Sequence, residues 1–217
     1  MDKILQKIDD GRSYRNMKVM EVRVAQSDDD NTEEYRVEGY ATTFNQPYEL
    51  YRWGDDYIVN EQVDAHAFDS CDMDDVILQY DHQGRVYART SNDTLKLEVD
   101  SKGLKVTADL SGTEEGRKLY EEIKGGYTTK MSFGFVIEAD ERKVENDYAM
   151  DVTTVLRTIT KIRKLYDVSA VSLPANDATE ISARNFGEGV IKEIEAERLE
   201  RAKAKKLEME CLALLSL

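Results

Sequence analysis

The sequence predicts an α+β chain that is mainly β, with one short helix in its body and a long helix at its C-terminal end. Three observations lead there. Apolar and polar residues alternate with period two along several stretches, among them residues 18–24 and 35–41, the pattern of half-buried strands. A single helix-like segment near residues 111–124 is closed by Gly125-Gly126. From about Gly187 the composition changes, and residues 190–217 hold no Gly or Pro and are dominated by Glu, Lys, Arg, Ala and Leu.

In chain order, residues 18–24 and 35–41 read as two strands, with residues 27–31 as the hairpin loop between them. Residues 76–80 form a short, largely apolar strand that runs into Asp81-His82. Residues 94–99 and 104–108 flank a hairpin signal at 100–103. Ser111 and Glu114 have capping-box spacing, and Leu119, Ile123 and Tyr120 are the expected inner face of the helix that follows. Residues 131–137, 152–162 and 167–173 read as three further strands, the last ended by Pro174, which cannot donate to a ladder. With two prolines in the chain, no rigid proline linker divides it. The body is expected over residues 1–186, followed by a charged helix over 187–217. Glu197 and Arg201 have i,i+4 spacing, and Leu207, Cys211, Leu214 and Leu215 share a stripe. Two readings fit this helix: it projects from the body and meets a partner at its end, or it packs back on its own domain.

Composition narrows the function. The chain has 217 residues, 34% of them charged, and a formal net charge of −14. No run approaches the ~20 apolar residues of a membrane helix, and the first residues lack the apolar core of a secretory signal. The expectation is a cytosolic protein with no membrane partner. Eight acidic residues and no lysine or arginine lie between Asp55 and Asp75. Such a surface repels phosphate backbones, so nucleic acid is not an expected partner; the readings are a solvated acidic face or contact with a basic partner. Cys71 and Cys211 are far apart and outside any paired motif, and His66 and His82 have no recognised ligand spacing. No disulfide, metal or cofactor is expected.

The chemistry-bearing candidates are Ser132, in Met131-Ser-Phe-Gly-Phe135, and His82, fifty residues upstream. A serine is a weak nucleophile until a base within hydrogen-bond reach takes its proton, and the chain has two histidines to choose from. Ser132 and Gly134 are small residues among the large apolar Met131, Phe133 and Phe135, so on a regular strand they share one side. That side faces either a cleft or a tight packing contact. His82 at a strand end is a base or a surface residue. His66 and Cys71 read as structural. Asp167, near a strand end, reads as a third member of a site or as a partner for a backbone amide or Lys164.

The order of these pieces, from about Val19 to Asn176, resembles the capsid maturation (prohead) serine proteases of tailed bacteriophages. The segments that carry it are residues 37–44, 61–68, 79–82, 95–108, 126–135, 167–169 and 174–176, with His66 standing where glycine is expected. The resemblance implies a herpesvirus-protease-like β-barrel flanked by helices. It also implies a serine endopeptidase with no cofactor, catalytic at His82, Ser132 and Asp167. Its substrate would be the major capsid protein or a scaffold, and often itself, inside the procapsid in the host cytoplasm. Relatives with such barrels often pair, so a homo-oligomer is expected. Many relatives use glutamate at the third position, and herpesvirus enzymes a second histidine. No histidine follows His82, so an acidic third member is the version left. Two other functions stay open beside the protease: a non-enzymatic assembly scaffold or adaptor on the same barrel, and a β-barrel ligand binder.

Overall fold

The computed structural model describes residues 13–21, 23–24, 35–147, 150–172 and 177–215. Eleven strands and two helices are found among them: β1 (Ser13–Glu21), β2 (Arg23–Val24), β3 (Arg36–Thr43), β4 (Tyr48–Trp53), β5 (Tyr57–Val63), β6 (Ile77–Tyr80), β7 (Gln83–Arg89), β8 (Leu95–Val99), β9 (Gly103–Asp109), α1 (Glu114–Lys124), β10 (Lys130–Asp147), β11 (Val152–Val171) and α2 (Asp177–Leu215). They make two sheets. The larger runs β1-β10-β11-β5-β4, with β6 also paired to β11 and β7 paired to β6; the smaller runs β2-β3-β9-β8. The inner faces of both, with Leu119, Tyr120 and Ile123 of α1, share one core that includes Val106, Leu104, Met131, Phe133, Phe135, Ile162 and Leu165. The chain is therefore α+β and mainly β.

The closed barrel is not found. Among the described residues the sheets share no ladder and are joined by one isolated bridge, Phe44 with Val63. They meet instead through side chains, so the architecture is two facing sheets.

Two of the expected strands are one. Residues 152–162 and 167–171 belong to the 20-residue β11 (Ser172 follows it and residue 173 lies outside the described residues), which forms a long antiparallel hairpin with the 18-residue β10. β11 has two parallel neighbours in succession: β5 along Thr153 to Ile159, then β6 along Asp167 to Ala170. Irregularities between these stretches break the alternation that a single long strand would show in sequence.

Strands β4, β5 and β7 were not anticipated. β5 alternates perfectly in burial, yet its inward row is Tyr57, Val59, Glu61 and Val63, and the charge at Glu61 hides the apolar pattern. Glu61 is fully buried. It accepts hydrogen bonds from Arg157 Nη1 at 3.0 Å and from the Tyr48 hydroxyl, which is how a buried carboxylate is kept tolerable.

The cap of α1 is Thr113, whose Oγ1 accepts from Gly116 N at 2.9 Å. Ser111, the expected cap, belongs to the preceding turn: its amide donates to Asp109 Oδ1 and its carbonyl accepts from Arg117 Nη1. Gly125 ends the helix, and Gly126 takes the left-handed backbone (φ +74°) that favours glycine there.

Helix α2 begins at Asp177, ahead of the compositional change at Gly187. Gly187 is a point of close approach: a Cβ there would lie 2.2 Å from the Tyr51 ring. Val190 packs with Val59 and Val155, flanked by Leu50, Tyr51 and Ile194. Arg198 then donates to the Tyr57 hydroxyl at 3.2 Å and to Thr153 Oγ1 at 2.8 Å. From residue 199 to 209 every side chain is exposed, including Leu207. The helix thus packs back on the body first and runs clear of it afterwards. No helix among the described residues is long and apolar enough to cross a membrane. The expected loop at 27–31, Pro174 and the side chains of Cys211, Leu214 and Leu215 lie outside the described residues.

Candidate active site

Two strands and one turn bring the site together. Ser132 lies on β10, directly opposite Ser169 on β11. Met131, Phe133 and Phe135 face the core, with the Phe133 and Phe135 rings stacked 4.4 Å apart; Ser132 and Gly134 take the other side. On β11 the alternation is reset by one unopposed residue. Gly134 pairs with Asp167 and Phe135 with Leu165, so Tyr166 is extra. Without that bulge Leu165 and Asp167 would share a face. With it, Leu165 enters the core while Asp167 and Ser169 join Ser132 on the opposite face.

His82 arrives from the two-residue turn between β6 and β7. Tyr80 pairs with Gln83, and the residues between them, Asp81 and His82, both have positive φ (+47° and +56°), the backbone of a type I′ hairpin turn. Asp and His enter this region more readily than most residues. The turn is pinned to the end of β11. The Asp81 amide donates to Ala170 O at 3.0 Å. The Asp81 carboxylate accepts from Ser172 N at 3.0 Å and Ser172 Oγ at 2.9 Å.

Ser132 Oγ lies 2.6 Å from His82 Nε2, and His82 Nδ1 meets Asp167 Oδ1. Ser169 Oγ lies 3.0 Å from Asp167 Oδ1 and 3.2 Å from His82 Nδ1. With Nδ1–H donating to the carboxylate, Nε2 is left as an acceptor for the Ser132 hydroxyl. All four groups are shielded from water, with exposures of 0% for Ser132 and Ser169, 4% for Asp167 and 7% for His82. In such surroundings each hydrogen bond counts for more than it would in water. The arrangement can remove a proton from an alcohol and hold the resulting imidazolium against a carboxylate, the chemistry of nucleophilic serine.

The other candidates stand apart from this group. Lys164, the alternative partner for Asp167, pairs with Asp72 at 2.5 Å. His66 is exposed and contacts Asp69 at 3.1 Å. Burial pushes the Cys71 thiol up to about 11, which leaves almost no thiolate near neutral pH. Among the described residues no three His, Cys, Asp or Glu side chains are grouped to hold a metal ion. Two site features escaped the sequence reading. Ser169 had a signal, since Asp167 and Ser169 are two apart on a strand and so share a face. The Asp81–Ser172 link joins residues ninety-one apart, and no local pattern reports it.

A family model described as caudovirus prohead serine protease matches residues 20–192. No curated protein and no solved structure matches the chain. The matched span covers β2 to β11 and the end of β1, the whole of α1, the start of α2 and all four residues of the buried group. The chain belongs to the caudovirus prohead serine proteases, the hydrolases of phage capsid maturation.

Proposed function

We propose that Ser132, His82 and Asp167 are the nucleophile, base and orienting acid of a serine endopeptidase that cuts the scaffold, or the scaffolding segment of the capsid protein, and also itself. The observation that carries this reading is the 2.6 Å approach of Ser132 Oγ to His82 Nε2, with Asp167 on the far side of the ring. Ser132 Oγ attacks the scissile carbonyl while His82 Nε2 takes its proton. The tetrahedral intermediate collapses as Nε2 returns that proton to the leaving amine. A water then attacks the acyl-enzyme with the same base, and Ser132 is restored. Asp167 fixes the tautomer and stabilises the imidazolium without itself becoming protonated.

The test is Ser132→Ala. Cleavage of the capsid or scaffold protein and labelling by a fluorophosphonate should both disappear, while the melting temperature stays within a few degrees of the parent's. Processing that continues in a pure Ser132→Ala sample ends the proposal.

The exposed end of α2 supports a second element of the same reading. Leu199, Leu207 and Met209 are each more than half exposed on a helix that has already left the body. We assign this stretch to holding the protease on scaffold or capsid subunits during assembly.

A further inference from the structure

We infer that Ser169 is a positioning residue: its hydroxyl holds the His82 imidazole in the one orientation that aims Nε2 at Ser132. The inference rests on the triad reading above and deepens it.

Ser169 is fully buried on a strand whose neighbours Val168, Ala170 and Val171 are core residues. A hydroxyl placed there without a partner is destabilising. Its hydrogen bonds go to the site. The hydroxyl proton points to Asp167 Oδ1 at 3.0 Å, and the oxygen lies 3.2 Å from His82 Nδ1. Nδ1–H therefore faces two acceptors, the carboxylate and the Ser169 oxygen. The two serines bracket a single ring: Ser132 on Nε2, and Ser169, directly across the β10–β11 ladder, on Nδ1. Turning the imidazole over would present a C–H to both oxygens on the Nδ1 side and withdraw Nε2 from Ser132. Ser169 makes that rotation costlier than Asp167 alone would.

The charged group facing the ring from β11 is Asp167. The other nearby carboxylate, Asp81, is engaged by Ser172 on the turn's far side.

The experiment compares Ser169→Ala and Ser169→Cys with the parent enzyme, full-length, on a peptide substrate. Cysteine fills the serine's space but is a weak donor, so it separates hydrogen bonding from packing. We expect both variants to lose kcat by about tenfold with KM unchanged, as misorientation of a reacting group does. Parent-like kcat in Ser169→Cys would overturn the inference, and so would a loss in Ser169→Ala that appears in KM and leaves kcat as in the parent. If Ser169→Ala melts below the assay temperature, Ser169→Cys carries the test alone. Ser132→Ala run alongside separates the two ideas. If it is inactive while the Ser169 variants behave as parent, only the positioning role fails. If it still cleaves, the triad reading fails first.

Discussion

His82 sits where the backbone is least comfortable. It and Asp81 share a turn in which both have left-handed φ, a conformation that costs a non-glycine residue of order 1 kcal/mol or more unless its surroundings impose it. The surroundings do so through Asp81, which ties the turn to Ala170 and Ser172 at the end of β11. The strand that supplies Asp167 and Ser169 therefore also anchors the turn that supplies the base. Asp81→Ala should remove the two contacts to Ser172 and place a residue less tolerant of positive φ in the turn. We expect a loss of about 1–2 kcal/mol in stability and a fall in kcat larger than any change in KM, measured by urea unfolding and peptide cleavage. Asp81→Asn keeps one acceptor and the tolerance for positive φ, so it should lie between Ala and parent. A parent-like Asp81→Ala in both measurements would mean that the turn holds its shape without the carboxylate.

The hairpin of β10 and β11 explains which elements were readable and which were not. Period two was plain where burial itself alternates, as along β9 and the first part of β3, and in β8, where Leu95 is buried and Val99 on the same face is exposed. It failed along β5, where the inward Glu61 is balanced by Arg157 ninety-six residues away. It failed again in β11, where the bulge at Tyr166 exchanges the two faces. The identities of Ser132, His82 and Asp167 were visible as residues, but their meeting depends on that bulge and on a turn held from another strand. Long-range partners of this kind leave no local periodicity.

Helix α2 was legible as a helix, while its docking was not, because Tyr51, Val59 and Val155 lie far upstream in the chain. The docked turns, up to Arg198, and the exposed stretch beyond it should behave differently. Removing residues 199–217 should leave melting and peptide cleavage as in the parent while reducing incorporation into procapsids. Removing residues 190–217 also deletes Val190, Ile191, Ile194 and Arg198, and burial of each such apolar side chain is worth about 1.5–3 kcal/mol, so this longer truncation should melt well below the parent. Normal incorporation of the shorter truncation would deny the exposed stretch a role in capture.

At the scale of the molecule, β11 joins a structural end to a chemical one. Near its start, Arg157 reaches Glu61 of β5 at 3.0 Å and Asp140 of β10 at 2.5 Å, and Tyr48 of β4 adds its hydroxyl to Glu61. Four strands of the larger sheet are thus tied by one buried ionic group. Ten residues on, about 30 Å along the strand by the rise of extended chain, the same strand presents Asp167 to His82. Separation of this size makes stability and chemistry independently adjustable. Arg157→Met should leave the fully buried Glu61 short of its cationic partner and cost about 3–5 kcal/mol, whereas Glu61→Leu combined with Arg157→Met should recover most of that loss, because an apolar pair of similar volume often replaces a buried ion pair without penalty. Asp140, only partly buried and 3.9 Å from Arg142, can turn to water and to that second arginine. Urea midpoints of the parent, the single and the double variant give the comparison, and cleavage per folded molecule should be the same in all three. A double variant as unstable as Arg157→Met would show that the charges are needed as a pair for the strands to align. A change in cleavage per folded molecule would show that the two ends of β11 are coupled.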